Sequence, residues 1–125
     1  MNMKVALPYW QGRVSPVFDV AQNLLLADVE NGREITRVKR TLKNSDSFNR
    51  VQDILQFGVK LVICGAVSEQ FLVLLQSAGV GVISNVCGPI EDVLKAFLNG
   101  TLANSDFLMP GFNNRRYRHR KRRCR

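Results

Sequence analysis

The chain has 125 residues, 46% of them hydrophobic, and a formal net charge of +8. That is enough for one domain with a buried core, and no run approaches the roughly 20 apolar residues of a membrane-spanning helix. Residues 1–5 lead into a strand pattern with no apolar signal-peptide core, so a cytoplasmic protein is expected.

The charge is segregated. Residues 113–125 hold seven Arg and one Lys and no acid, which leaves ten basic against ten acidic residues in the other 112. The basicity belongs to a tail and not to a face of the fold. Three cysteines (Cys64, Cys87 and Cys124) are an odd number, and no two stand in a CxxC pair. A disulfide framework is disfavoured, and a zinc ribbon or a thioredoxin-type motif is excluded by spacing.

Residues 4–7 read as the first strand, stopped by Pro8. Residues 8–18 read as a loop, unusually aromatic for a connection, with Tyr9, Trp10 and Phe18 around Gly12 and Pro16. Residues 23–30 alternate as a second strand with Leu25, Ala27 and Val29 on one face. Asn31-Gly32 then signals a tight hairpin, because a type I′ turn needs positive φ at both positions. Residues 33–42 form the third strand. Its charges (Arg33, Glu34, Arg37, Lys39, Arg40) suit the edge of a sheet.

Ser45, Asp46 and Ser47 offer N-caps for a first helix. Phe48, Val51, Ile54 and Leu55 form its predicted core stripe and Gly58 its stop. A fourth strand over 60–63 ends in Cys64-Gly65. A second helix follows from Ser68 to Gly79, apolar around most of its circumference. A fifth strand over 81–84 runs to Cys87-Gly88, and Pro89 suits the first position of a third helix. Glu91 and Asp92 complement that helix's dipole. Ile90, Val93, Leu94, Phe97 and Leu98 are its core face, and Gly100 ends it. Residues 104–114 read as a linker and 115–125 as a disordered basic segment, so the expected division is a domain over 1–103 and a tail over 104–125.

The order β-β-β-α-β-α-β-α implies an α/β fold. Three strands in a meander, followed by right-handed crossovers, give a mixed five-stranded sheet of order 3-2-1-4-5 with three helices, a ribonuclease-H-like arrangement. Strands one, four and five are then parallel and share one C-terminal rim. The aromatic first loop and both Cys-Gly turns meet there, at a topological switch point where two helix N-termini open. Such a rim suits an anionic ligand. Arg13 is positioned to pair with an anion and Ser15 to donate a hydrogen bond. Cys64 and Cys87 are candidate metal contacts, each weighed against service as a small buried apolar residue.

Catalysis has little support. Two-metal phosphoryl chemistry needs clustered carboxylates, and the first and fourth strands have none. The one histidine, His119, lies in the basic tail, so no Ser–His–Asp or Cys–His set exists within the fold. The tail itself is suited to nucleic acid or an acidic partner, by salt-dependent contacts.

Several segments together carry a resemblance: Gly12 to Phe18 with the Asn31-Gly32 hairpin, Gly58-Val59-Lys60-Leu61-Val62-Ile63-Cys64-Gly65-Ala66, Leu75-Gln76-Ser77-Ala78-Gly79-Val80, and Glu91 to Gly100 with Thr101-Leu102. From Met3 to about Leu102 the chain resembles the small domains of the dinitrogenase iron–molybdenum cofactor biosynthesis family, which belongs to nitrogen fixation. The resemblance implies a ribonuclease-H-like domain that binds or carries an iron–sulfur or iron–molybdenum cluster or its precursor, without catalysis of its own, alongside a cofactor-assembly protein. Read from the residues themselves, the ligand-binding rim would be Arg13, Ser15, Phe18, Gly65 and Gly88, with Cys64 and Cys87 as metal contacts that the family pattern does not itself supply. The family commonly reads Ser-x-His-Phe-Gly in the first loop. This chain has Ser15-Pro16-Val17-Phe18-Asp19, so valine stands in the histidine position.

Overall fold

The computed structural model describes residues 2–42 and 46–100. The elements are β1 (Asn2–Trp10), β2 (Arg13–Val14), a 3₁₀ turn (Phe18–Val20), β3 (Asn23–Glu30), β4 (Arg33–Thr41), α1 (Ser47–Gln56), β5 (Leu61–Ile63), α2 (Glu69–Ser77), β6 (Gly81–Ile83) and α3 (Ile90–Asn99). The expected linker and tail, residues 104–125, lie outside the described residues, as does Cys124.

The sheet order is β4-β3-β1-β5-β6, with β2 added beside β1. β1, β5 and β6 are parallel, β3 runs against β1, and β4 against β3. This is the order expected from sequence, with one further short strand. Asn31 and Gly32 take φ of 53° and 78°, as a type I′ hairpin requires.

The first strand corrects the expectation. β1 does not stop at Pro8 but continues to Trp10, and the expected loop is largely a hairpin, with Tyr9 opposite Val14 and Trp10 opposite Arg13. The reason is the side on which proline lacks its donor. The Pro8 carbonyl accepts the Ser15 N–H at 2.9 Å. N–H and C=O of one strand residue point the same way, so the missing donor faces β2. The pairing of Pro8 with Leu24 on β3 loses nothing. Gln11 and Gly12, at φ of 53° and 80°, make the tight turn.

Strand alternation sends one set of side chains to each face of the sheet. Val5, Leu7, Leu25, Ala27, Val29 and Ile63 pack with Val93 and Leu94 of α3. Ala6, Leu24, Leu26 and Val62 pack with Val51 and Ile54 of α1 and Phe71 and Leu75 of α2.

Two helix expectations shift. Asp46 caps α1, its carboxylate accepting the Asn49 N–H at 3.1 Å, but Phe48 is 57% exposed. The buried stripe is Arg50, Val51 and Ile54, roughly a third of a turn away from Phe48. α2 is not buried around its circumference. Phe71 and Leu75, one turn apart, are buried in the core of the α1/α2 face, and Val73 is 52% exposed. Pro89 is the N-cap of α3 instead of its first helical residue. Gly58, Gly79 and Gly100 follow the three helices with φ near +80°.

Candidate functional site

The three segments expected at the rim do meet, and backbone hydrogen bonds hold them. Residues 12–18 run between the turn after β5 and the turn after β6. On one side, Val14 N–H donates to the Gly88 carbonyl and Ile90 N–H to the Gly12 carbonyl, both at 2.9 Å. On the other, Ala66 N–H donates to Pro16 and Phe18 N–H to Ala66, both at 2.8 Å. The two turns are themselves joined through Asn85 N–H to Gly65 (2.9 Å) and Val86 N–H to Cys64 (3.0 Å).

Each predicted site residue has a definite place in this seam. Gly65 lies directly under the first segment. A Cβ there would stand 2.5 Å from the Pro16 carbonyl oxygen and 2.6 Å from that of Ser15, so only glycine admits the approach. Gly88 sits at φ 126° and its carbonyl pins Val14. Ser15 is buried, and its hydroxyl faces the Val17 carbonyl at 3.5 Å, a long contact within the loop. Arg13 is exposed and its backbone bridges to Pro89. Phe18 is 0% exposed, with its ring 4.7 Å from that of Phe71.

A residue the periodicity did not single out fixes this loop. Arg50 of α1 is buried, its guanidinium 5.9 Å from the Phe18 ring centre. It donates to the Phe18 carbonyl at 3.1 Å and to the Ala21 carbonyl. Burial lowers its pKa, and Asp19 and Asp53 oppose that. Asp19 also accepts the Ser68 N–H at 2.9 Å, tying the 3₁₀ turn to the start of α2. The loop is therefore anchored to two helices on the α1/α2 face.

The cysteines occupy different environments. Cys64 is 0% exposed and belongs to the α1/α2 core. Burial, with Asp19 adding to it, pushes its thiol up to about 12. Cys87 is half-buried in the turn leading to α3 and is disulfide-bonded, which corrects the expectation of a free thiol there. Among the described residues, no three His, Cys, Asp or Glu side chains cluster as a metal-binding group. Val17, in the position where the resemblance expects histidine, is 40% exposed and bridges through its backbone to Ala66.

On the α3 side the rim opens into a pocket of about 190 Å³ lined by Tyr9, Gly12, Leu25, Arg37, Lys39, Ile90 and Glu91. Arg37 and Lys39 of β4 stand opposite Ala27 and Leu25. Their side chains lie over that half of the sheet, where no second helix lies among the described residues, and both line the pocket. The Arg37 guanidinium is forked onto Glu34 (2.6 and 2.8 Å) and Glu91 (2.6 and 3.1 Å). These bonds raise the Arg37 pKa and hold the Glu91 carboxyl below its usual range. The Lys39 ammonium lies 5.6 Å from the Tyr9 ring centre. Tyr9, Arg37, Lys39 and Glu91 were not among the candidates from sequence. The available signal was the i, i+2 spacing of Arg37 and Lys39, which puts both cations on the face of Leu25 and Ala27.

Comparison with known families decides the relationship. The model of the dinitrogenase iron-molybdenum cofactor family matches residues 1–100. The chain belongs to that family. No curated protein matches it in sequence. Among solved structures it is similar to the protein PH0822, at 25% identity and a TM-score of 0.74, over 78% of this chain and 90% of that one. A Thermotoga protein, TM1290, shares 26% identity and a TM-score of 0.61 over 79% and 90% of the two chains. The apo form of the orange protein from Desulfovibrio gigas has the same fold, with a TM-score of 0.66 over 90% and 96% at 20% identity. The family's match covers both the rim seam and the α3-side pocket. Among the described residues, no helix is long and apolar enough to cross a membrane.

Proposed function

We propose that this domain is a non-catalytic carrier of a small anionic metal–sulfur cargo, an iron–sulfur or iron–molybdenum cofactor or a precursor of one, serving a cofactor-assembly partner in nitrogen fixation. The observation that carries this reading, beside family membership, is the pocket between Tyr9, Lys39 and the start of α3. It lies at the rim of the mixed sheet where the C-terminal end of β1 meets β3, β4 and the start of α3. It offers an ammonium, a phenol hydroxyl and a helix N-terminus whose N-cap residue, Pro89, makes no side-chain cap bond. That chemistry holds an anion by charge and hydrogen bonding, with the cargo keeping its own ligands.

Cys64 enters the proposal as an expected metal contact, and Cys87, which is disulfide-bonded, enters it only in its reduced form. The burial of Cys64 and its raised pKa disfavour a thiolate at that position, so the electrostatic contacts are given the larger share. Anaerobic titration of the full chain with tetrathiomolybdate, followed by iron and sulfide, tests this. Saturable uptake that falls about tenfold in Lys39→Ala, the loss of one charge-assisted contact, is expected. Protein that stays colourless and takes up neither metal nor sulfide overturns the reading. The same titration of Cys64→Ala and Cys87→Ala decides the cysteine contribution, because unchanged uptake removes them from the site.

A second reading rests on the separated charge of residues 113–125: an adaptor that binds nucleic acid or an acidic partner through the tail. Its mark is a steep loss of affinity with salt, abolished by deleting residues 113–125. Binding to duplex DNA that survives the deletion with the same salt slope rejects it.

A further inference from the structure

β4 ends the sheet, and among the described residues nothing pairs with its outer edge. The direction of its backbone groups follows from one bond. Leu42 N–H donates inward to the Gln22 carbonyl at 2.7 Å. With a period of two, Arg40, Val38 and Thr36 also turn toward β3, so the N–H and C=O groups of Arg37, Lys39 and Thr41 point outward. Thr36 stands opposite Asp28 while Glu34 stands opposite Val29, which leaves Ile35 as the extra residue of a bulge. The regular open edge is therefore residues 36–41.

The charge on this edge selects its occupant. β4 carries Arg33, Arg37, Lys39 and Arg40 against Glu34 alone. Arg37 is matched by Glu34 and Glu91. Among the described residues, no carboxylate lies within ion-pair distance of Arg33, Lys39 or Arg40. A second copy of β4 would bring like charges face to face, which disfavours self-pairing. An acidic strand would meet Lys39 on one face and cover exposed Val38 on the other.

We propose that the open edge of β4 takes up an extended acidic segment of a partner protein as an added strand along residues 36–41. Alternating acid and apolar residues match it, the acids toward Arg37 and Lys39 and the apolar side chains toward Val38. The added strand borders the pocket that Arg37 and Lys39 also line, which puts the partner beside the cargo site.

The test uses the full ¹⁵N-labelled chain and a capped Glu–Val alternating decapeptide, with a Lys–Val decapeptide as control. Amide hydrogen exchange is expected to slow at least tenfold at Arg37, Lys39 and Thr41 with the acidic peptide only, and to stay unchanged at Val38 and Arg40. Lys39→Pro removes one outward donor and no bond to β3, and is expected to abolish the protection. Should that variant not fold, Lys39→Glu is expected to weaken the acidic peptide at least tenfold. The proposal is overturned by no protection at the outward amides, by protection with both peptides alike, or by peptide shifts confined to residues 113–125, which would make the tail the binding surface. Protection without peptide, accompanied by a doubled mass, also overturns it in favour of self-association.

Discussion

On one face of the sheet, α1 and α2 cover Ala6, Leu24, Leu26 and Val62, and Arg50 and Asp19 fasten the first loop to both helices. On the other face α3 is the one helix among the described residues. It seals Val5, Leu7 and Ile63, while the side chains of Arg37 and Lys39 lie over the half of the sheet nearer β4. The closed face contributes rigidity to the rim, and the incompletely covered face supplies a pocket and exposed charge. Among the described residues, the pocket lies where side chains, and not a helix, complete the layer.

The contrast can be broken by substitution, and the closed face is expected to carry the large stability effects. Phe18→Ala, which empties a fully buried site against Phe71, is expected to cost about 3–5 kcal/mol in urea unfolding. A cost below about 1 kcal/mol would mean the loop is not anchored as described. Cys64 gives a pH signature. Its neutral thiol is favoured in the folded state, so its contribution is complete below about pH 9, where the unfolded thiol titrates, and is lost as the pH rises toward about 12. Between pH 8 and 10.5 the wild type is expected to lose about 2 kcal/mol more than Cys64→Ala, and parallel curves would contradict the burial assignment. Gly65→Ala meets two carbonyl oxygens and is expected to cost about 1–3 kcal/mol, visible as a lowered unfolding midpoint with shifted Ser15 and Pro16 signals. On the open face, Lys39→Ala is expected to change stability by no more than about 0.5 kcal/mol while cargo affinity falls about tenfold.

Much of this architecture was legible in the chain. Asn31-Gly32 fixed the hairpin because few residue pairs tolerate two positive φ values. The charges of residues 33–42 marked an edge strand, and two short apolar strands alternating with helices fixed the parallel half of the sheet. Pro8 misled, because whether a proline ends a strand depends on which neighbour its missing donor faces, and β2 was not visible as a strand. Arg50 was hidden because a buried arginine looks like a solvated one until the carbonyls it serves are brought beneath it. The rim was foreseen as a meeting of three segments, yet the pocket beside it draws on Tyr9, Lys39 and Glu91 from three separate elements. No spacing rule joins such residues. The predicted Ser15 and Phe18 are occupied in holding the loop, and their small and apolar side chains fit that service.

The central claim, that cargo binds on the incompletely covered α3 face, is tested most directly by anaerobic titration of the ¹⁵N-labelled chain with tetrathiomolybdate. Saturable amide shifts centred on Tyr9, Gly12, Lys39, Ile90 and Glu91, with none around Phe18 and Phe71, are the predicted result. Shifts centred on Trp10, Val17 and Val20, or no saturable shift in residues 2–100, would contradict it.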